Sequence, residues 1–527
     1  MIASSATRKD MASCISVWME LRPALDGFYG IPQETRLLFS ALAGLKLVKL
    51  AGLLQMSRRP LRGGIYGRKT LSPAGRVDKS SRVVVSLKGR EAIDWKEDVW
   101  AWVSATIGGV VLRCRVWLGM GCVKTGAFEA DLFGDYLWQD LFGRTLPIAE
   151  KDRIMALKRY YVCAMPWRLM HMVGLDSARS LGRSRYPRLH TRSADVLIAQ
   201  TPYPGRVSAE TRLVIHYHDA IPVLMPHTVS DRAFHQASHY HALADNVRSG
   251  AYFVCVSEST RQDLLSLFPA VAERAVTIHN MLPTHYFPAE PEPDRIPSLV
   301  RRYAHTIFTR ESKSIVKKQW VLSRKFRTEE ERAAFLHANL GTGSRFLLMV
   351  STIEPRKNHA RLLAAWEALH SQDPQLKLIL VGHIGWDYAQ ALDSMVPWIE
   401  EGSLFLLQNV PPESLRLLFR QAIVTVCPST GEGFDFSGIE AMRCGGVVAA
   451  SDIPVHREVY ADATAYFDPY DTDSLARALR ELIYDEEAEV RRDALRSKGI
   501  EHSSQYLPER ILPQWEAFLR QITTHSA

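Results

Sequence analysis

From residue 191 onward, short apolar runs alternate with segments in which apolar residues recur at helical spacing. Apolar runs flanked by turn residues are typical of parallel strands, because both faces of such strands are buried. The predicted strands lie at 194–200, 212–219, 251–257, 275–280, 345–351, 377–382, 403–410, 422–429 and 445–451. Their alternation with helices predicts an α/β fold of wound parallel sheets.

A proline-rich segment interrupts this pattern. Residues 283–300 (PTHYFPAEPEPDRIPSLV) predict a linker, and 301–340 have the composition of a charged helix. The predicted organisation is an N-terminal α/β domain over 1–285, a linker and helical insertion over 286–340, a C-terminal domain over 341–505, and a final helix over 506–527 that returns to the N-terminal domain.

The N-terminal domain is expected to contain a basic, helical insertion at about 57–190. Residues 99–112 and 155–175 mix apolar, aromatic and basic residues, a composition that favours helices. Packing in a core is one interpretation, and an amphipathic face resting on a membrane or a lipid-linked substrate is the other. The apolar run at 101–112 is shorter than the ~20 residues of a membrane-spanning helix.

Composition places the chain among globular proteins. A chain of 527 residues is too long for one ordinary hydrophobic core. Its content of 46% hydrophobic and 23% charged residues argues against wholesale disorder and against a polytopic membrane protein. The seven cysteines are scattered without a C-x-x-C pair, so neither a zinc site nor a disulfide framework is indicated. Charged residues Arg8, Lys9 and Asp10 interrupt the N-terminus, where a signal peptide would be apolar. We expect a cytoplasmic protein.

Positive charge is concentrated near the N-terminus. Residues 1–200 hold 31 Lys and Arg against 17 Asp and Glu, and 57–90 hold ten basic residues and one acid. One interpretation is a solvated insertion extended by self-repulsion. The other is attraction to an anionic membrane surface, worth ~1 kcal/mol per basic residue, which would place the protein on the inner face of the cytoplasmic membrane. No recognition motif accompanies the charge, so we expect no nucleic-acid partner.

The most informative segment is 429–446 (STGEGFDFSGIEAMRCGG). A strand ends at Pro428, a glycine-flanked loop follows, and a helix is predicted with Ser437 as N-cap and Glu440 three residues later, as in a capping box. Backbone N–H groups at such a helix start can bind phosphates or sugar hydroxyls. Glu432 and Glu440 could face one crevice; alternatively Glu440 only caps its helix and Glu432 is a solvated loop acid.

This segment resembles the E-x7-E motif of retaining GT-B glycosyltransferases of family 4, here EGFDFSGIE at 432–440. The resemblance extends to 441–471, 350–369, 216–226 and 255–264. It implies a GT-B fold, in which two Rossmann-like, doubly wound parallel-sheet domains with helical insertions face a cleft. The GFDFSG version is similar to O-antigen and capsule transferases.

The resemblance also implies roles for individual residues. Glu440 would hold the ribose hydroxyls of the donor nucleotide, Glu432 would lie beside the transferred sugar, and Lys357 would contact the diphosphate. Ser351-Thr352 stands where many relatives carry Gly-Arg, and Arg356 is the suggested substitute for that arginine. The other residues expected to bind the donor are Gly30, Phe436, Ser437 and Gly438. His218 would lie near the reacting sugar, and His216 would share its face of the strand.

The implied function is hexose transfer with retention of configuration, from a nucleotide-diphosphate sugar to a glycan or lipid-linked glycan in surface polysaccharide assembly. GDP-mannose is the first expected donor and a UDP-sugar the second. No cofactor or metal is expected, because Arg, Lys and a helix dipole can neutralise the diphosphate, and no nucleophile is assigned. The alternatives are another GT-B enzyme with a soluble acceptor, and a non-catalytic sugar-nucleotide-binding or scaffold subunit of a glycan-assembly complex.

Overall fold

The computed structural model describes residues 14–25, 27, 30–61, 64–66, 71–88, 95–288, 290–304, 328–341 and 343–524. The chain forms two compact units. Unit 1 comprises Met1–Leu224, Ala233–Met281 and Pro508–Ala527, and unit 2 comprises Met225–Arg232 and Leu282–Leu507.

An eight-stranded sheet forms the centre of unit 1. The strands of unit 1 are β1 (Ile15–Glu20), β2 (Val48–Leu54), β3 (Cys122–Val123), β4 (Thr125–Glu129), β5 (Arg159–Cys163), β6 (Arg188–Leu189), β7 (Val196–Ala199), β8 (Arg212–Tyr217), β9 (Tyr252–Cys255) and β10 (Ala275–Thr277). The sheet order is β10-β9-β8-β7-β1-β2-β5-β4, with β4 antiparallel to β5 and the other neighbours parallel. Strands β3 and β6 form a separate parallel pair.

Helices cover this sheet. They are α1 (Ile31–Ala43), α2 (Pro73–Lys88), α3 (Trp95–Trp117), α4 (Gly134–Leu137), α5 (Lys151–Met155), α6 (Trp167–Leu181), α7 (Ile221–Leu224), α8 (Arg232–Arg248, whose first residue belongs to unit 2) and α9 (Glu258–Leu267). Within the described residues, no helix is both long and apolar enough to cross a membrane.

Unit 2 is built on a six-stranded parallel sheet of order β13-β12-β11-β14-β15-β16. Its strands are β11 (Phe346–Val350), β12 (Lys377–Val381), β13 (Leu404–Leu407), β14 (Val424–Cys427), β15 (Val448–Ser451) and β16 (Ala465–Phe467). Its helices are α10 (Ile296–Tyr303), α11 (Glu329–Asn339), α12 (His359–His370), α13 (Ala389–Glu401), α14 (Pro412–Gln421), α15 (Phe436–Arg443), α16 (Pro454–Tyr460), α17 (Thr472–Ile483) and α18 (Ala488–Ser503).

The final helix, α19 (Pro508–Thr524), belongs to unit 1. Its apolar face is buried in the core that also contains α1 and the strands of the large sheet, through residues Ile511, Trp515, Phe518, Leu519 and Ile522. Burial of large apolar side chains contributes roughly 1.5–3 kcal/mol each, which explains how a helix at the end of the chain is held on unit 1.

All nine strands predicted from apolar runs are present. The helix predicted over 155–175 is wrong in its first half, because Arg159–Cys163 forms β5 and α6 begins only at Trp167. Tyr160, Tyr161 and Val162 favour a strand, and Pro166 precedes the helix that follows. The stretch expected to be a helical insertion therefore supplies β4 and β5 to the sheet. The segment predicted as a linker also includes the start of α10, at Ile296.

Candidate active site

The loop from β14 into α15 is capped by Asp435. This residue has a positive φ of 59°, which Asp tolerates better than most residues. Its carboxylate accepts hydrogen bonds from the Ser437 backbone N–H at 3.3 Å and the Ser437 hydroxyl at 2.6 Å. The prediction of Ser437 as N-cap is thus wrong: α15 begins at Phe436, and Glu440 lies too far along the helix to complete a capping box.

Asp435 is held as a buried anion. His456 Nε2 lies 3.2 Å from its carboxylate, and the Tyr460 hydroxyl donates to its carbonyl at 3.2 Å. Burial alone would raise the pKa of Asp435, but the charge of Lys357 and the hydrogen bonds from His456 and Ser437 hold that pKa well below its ordinary value. A Cβ on Gly438 would lie 2.3 Å from the Tyr460 hydroxyl, so glycine permits this close packing.

Arg356 and Lys357 converge on Glu432. They end the loop after β11, and Glu432 lies in the loop after β14, the neighbouring strand. Lys357 Nζ lies 2.5 Å from one carboxylate oxygen of Glu432, and Arg356 Nη1 lies 2.6 Å from the other. Asn358 joins the loops by donating to the carbonyl of Pro428 at 3.1 Å. Parallel strands end at one edge of the sheet, and this edge therefore gathers the predicted basic pair and acid.

This cluster is charged and mostly withdrawn from water. The side chains of Arg356, Lys357 and Glu432 are 19%, 14% and 7% exposed. Burial raises the pKa of Glu432, but the positive charges of Arg356 and Lys357 reverse that effect and lower it. Burial lowers the pKa of Lys357, and the charge of Glu432 reverses this and raises it. Both groups are therefore ionised at neutral pH. An ammonium has three N–H donors, so Lys357 retains donors for a further anion.

Glu440 and Phe436 lie on α15, beside this cluster in the chain. Glu440 is 3% exposed, so its carboxylate lies inside unit 2 rather than in solvent. Its charge contributes, after burial, to the raised pKa of the Cys444 thiol one turn further on. Phe436 packs edge-on against Phe434, with ring centroids 5.3 Å apart. The alternative in which Glu440 merely caps its own helix is inconsistent with Asp435 as the N-cap.

The predicted residues of unit 1 lie at the carboxyl ends of its strands. His218 follows β8, and its Nε2 lies 3.4 Å from Gln200 Oε1. His216 Nδ1 lies 3.2 Å from the same oxygen, so one amide orients both rings. Gly30 caps α1 with φ 70° and ψ −132°, a conformation that favours glycine, and its missing Cβ would meet no atom within 4 Å.

A cavity of about 760 Å³ in unit 1 was missed by the sequence reasoning. It lies where β1, β2, β5, β7 and β8 end, and basic and aromatic side chains line it. Arg22 stacks over the Trp167 ring at 4.3 Å, and Arg168 over Phe234 at 3.9 Å. Arg58 and Arg59 also line the cavity, although the sequence marked them only as part of a basic segment. Recognising β5 as a strand would have revealed Trp167 and Arg168 as residues of this sheet edge.

Over the described ranges, no group of three or more His, Cys, Asp or Glu side chains is placed to hold a metal ion.

Unit 1 is expected to lose stability in acid. Burial lowers the pKa of His218 to about 3, and it also lowers the pKa values of His171 and His216. Unfolded histidine titrates near pH 6.5, so between about pH 6.5 and 3 the unfolded state binds more protons. The free energy of unfolding therefore falls as the pH falls through this window, by about 2 kcal/mol between pH 6.5 and 5 for His218 alone.

Urea unfolding measured at pH 7 and pH 5 checks this prediction. The variant His218→Asn should show a smaller loss between the two pH values than the parent chain. An equal loss in both proteins would mean that the pKa of His218 is not lowered in the folded state.

Parts of this chain are similar to known proteins. Residues 332–501 match the family model described as glycosyl transferases group 1. Over 97% of its length, the chain is similar to all of the sucrose-phosphate synthase of Thermosynechococcus elongatus, with 14% sequence identity and a TM-score of 0.55. Unit 2 thus carries a glycosyltransferase domain, and the protein has the GT-B fold.

Several curated relatives of this chain are mannosyltransferases. A serotype-specific mannosyltransferase WbdA of Escherichia coli is 32% identical over 164 residues, which are 30% of this chain and 20% of the relative. The O-antigen chain mannosyltransferase B of Escherichia coli is 31% identical over 170 residues, 32% of this chain and 44% of the relative. The O-antigen chain mannosyltransferase RfbU of Salmonella typhimurium is 24% identical over 231 residues, covering 41% and 62%. The chain thus spans about a fifth to three fifths of these relatives.

Proposed function

We propose that this protein is a retaining glycosyltransferase of the family 4 type, which transfers a hexose from a nucleotide-diphosphate sugar to a glycan or lipid-linked glycan in surface polysaccharide assembly. Mannose is the first candidate sugar, because several of the curated relatives are mannosyltransferases. The observation that carries the proposal is the buried cluster of Arg356, Lys357 and Glu432 inside the glycosyltransferase domain.

Unit 2 is proposed to bind the donor. A diphosphate gains negative charge as the bond to the sugar breaks, and a cation already fixed in place stabilises that charge without reorganisation. Glu432 fixes Lys357, whose remaining N–H donors are proposed to bind the diphosphate. The start of α15 offers backbone N–H groups nearby in the sequence. Glu440 is proposed to bind the ribose hydroxyls, and this donor, GDP-mannose or a UDP-sugar, needs no further cofactor in the proposal.

Retention is proposed to occur without a covalent intermediate on Glu432. Both carboxylate oxygens of Glu432 are ion-paired, one to Arg356 and the other to Lys357. Such pairing lowers the basicity of the carboxylate and so its strength as a nucleophile. We therefore favour attack from the face of the leaving diphosphate, with a donor phosphate oxygen accepting the acceptor proton. His218, neutral at physiological pH, is proposed to orient hydroxyls in this reaction.

The cavity at the carboxyl edge of unit 1 is proposed to bind the acceptor. Its aromatic rings suit the faces of a saccharide, and its arginines suit phosphate groups of a lipid-linked glycan. We further propose a cytoplasmic location, with the basic segment 57–90 attracted to the inner face of the membrane. In that segment α2 is anchored to the core by Val83 and Leu87, whereas Arg82 is exposed.

A thermal-shift panel of nucleotide sugars tests the donor. We expect GDP-mannose to raise the melting temperature, because a ligand at 100 times its dissociation constant stabilises the folded state by about 2.7 kcal/mol. Free mannose is the control and should have no effect. A greater rise of the melting temperature with a UDP-sugar would identify that sugar nucleotide as the donor in place of GDP-mannose. No rise with any nucleotide sugar would refute donor binding.

A further inference from the structure

A second basic cavity, of about 590 Å³, lies at the other edge of the unit 1 sheet. Its lining includes Arg188, His190 and Arg192, from the segment that leads into the amino end of β7, and Arg206, Ser208 and Glu210, from the segment that leads into the amino end of β8. His218 follows the carboxyl end of β8. A strand of six residues spans on the order of 20 Å, so this cavity is separate from the proposed acceptor cavity.

The lining is strongly basic. It includes five arginines and one histidine, namely Arg183, Arg185, Arg188, His190, Arg192 and Arg206, and of the described lining residues only Glu210 is acidic. Arg206 is the arginine already neutralised, because Asp245 accepts from its Nε at 3.1 Å and its Nη2 at 2.9 Å. The other four arginines among the described lining residues outnumber the one acid, Glu210. Arg183, Arg188 and Arg192 are exposed, so their guanidinium groups are accessible to an anion from solvent.

The wall of this cavity is rigid. Thr191 and Ser208 exchange two hydrogen bonds, from each backbone N–H to the other hydroxyl, at 2.9 and 3.0 Å. The backbone of Arg206 donates to the carbonyl of Pro187 at 2.9 Å and accepts from Leu189 at 2.7 Å. The segments that carry the arginines are thus fixed before any ligand binds, which reduces the entropy lost on binding.

Two polar atoms of the lining residues lack partners. Tyr186 is 5% exposed, and its hydroxyl has no hydrogen-bond partner within the part of the chain that the structure describes. The same holds for the buried Nε of Arg185. A buried polar group without a partner costs about 1–3 kcal/mol. Both atoms are out of contact with water, so an anion bound in the cavity would reach these donors after a local rearrangement of their side chains.

We propose that this cavity binds phosphate groups, with Arg185, Arg188 and Arg192 as the principal cations and Tyr186 as a neutral donor. Arginine favours phosphate because its planar guanidinium forms two parallel N–H···O bonds with it. The volume accommodates a diphosphate. Met120 lines the same cavity and is 66% exposed, with Leu118 beside it 69% exposed, so the phosphate could be free or belong to a lipid headgroup.

Titration calorimetry with inorganic pyrophosphate tests the proposal. The cavity variant R185Q/R188Q/R192Q removes three positive charges, and the matched control R477Q/R491Q/K498Q removes three exposed charges from α17 and α18 of unit 2. We expect the parent and the control to bind pyrophosphate at one more site than the cavity variant does. In the cavity variant, the affinity of the basic cavity for pyrophosphate should fall at least tenfold. The milder variant Tyr186→Phe should weaken the same site while retaining the fold. The donor site serves as an internal reference, because its binding should be equal in all four proteins.

Sedimentation with vesicles separates the two sources of phosphate. Vesicles of phosphatidylcholine with phosphatidylglycerol should sediment more of the control than of the cavity variant if the phosphate belongs to a lipid, and equal fractions of the two proteins if it is free. Equal pyrophosphate binding by the cavity variant and the control, or no site beyond the donor site in the parent, would overturn the proposal. Loss of binding in both triple variants would also overturn it, because general charge attraction would then explain the result.

Discussion

Replacing Glu440 with alanine is expected to lower kcat/KM for hexose transfer by a factor of about 10²–10⁴ and to weaken nucleotide binding by a similar factor. The proposed role of this carboxylate is to accept hydrogen bonds from two ribose hydroxyls. Each hydrogen bond to a charged group contributes about 1.5–3 kcal/mol, and 1.4 kcal/mol corresponds to a factor of ten. Glu440 is buried at 3% exposure, so little water is available to replace the lost contacts.

Steady-state kinetics and nucleotide titration measure the two effects in the same protein. Glu486→Ala is the control, because Glu486 is an exposed acid of the same unit, and it should behave like the parent. Transfer by Glu440→Ala at the parental rate would contradict the assigned role. If glycan assembly in cells persists despite lost nucleotide binding, the protein would instead be the non-catalytic scaffold subunit.

The sequence predicted the second unit better than the first, for a physical reason. Strands β11 to β15 are apolar runs such as Phe346–Val350 and Lys377–Val381, because helices cover both faces of the sheet. β5 is instead Arg159–Cys163, which begins with an exposed arginine and contains two tyrosines, and β4 is antiparallel at the edge. A helical period fits these short mixed segments nearly as well as a strand does, so the pattern alone could not distinguish them.

Sequence motifs predicted which charged residues belong to the site. They did not predict the contacts that depend on tertiary packing. The resemblance of the two loops to a known family implied that Lys357 and Glu432 would serve one site, and the structure places them in contact. The motif could not show that Asp435 rather than Ser437 caps α15, because that depends on His456 and Tyr460 from a later helix. Contacts between residues distant in sequence leave no signal in a single chain.

Replacing Lys357 with methionine is expected to reduce kcat by a factor of at least about 10²–10³, which is the usual effect of removing one preorganised electrostatic contact with a transition state. It should also lower the free energy of unfolding by about 1–3 kcal/mol, because one oxygen of the buried Glu432 loses its charged partner while Arg356 still pairs with the other. Kinetics and urea unfolding report the two losses separately. Lys498→Met, which removes an exposed ion pair with Asp462, should change neither by much.

The double variant Lys357→Met/Glu432→Gln then separates structural from catalytic roles. Neutralising Glu432 removes the unpaired charge, so unfolding stability should recover toward the parental value. Transfer should not recover, because the cation that faces the diphosphate is still missing. Recovery of both quantities would mean that Lys357 only balances the charge of Glu432, and the donor phosphates would then have to be bound by other cations of unit 2.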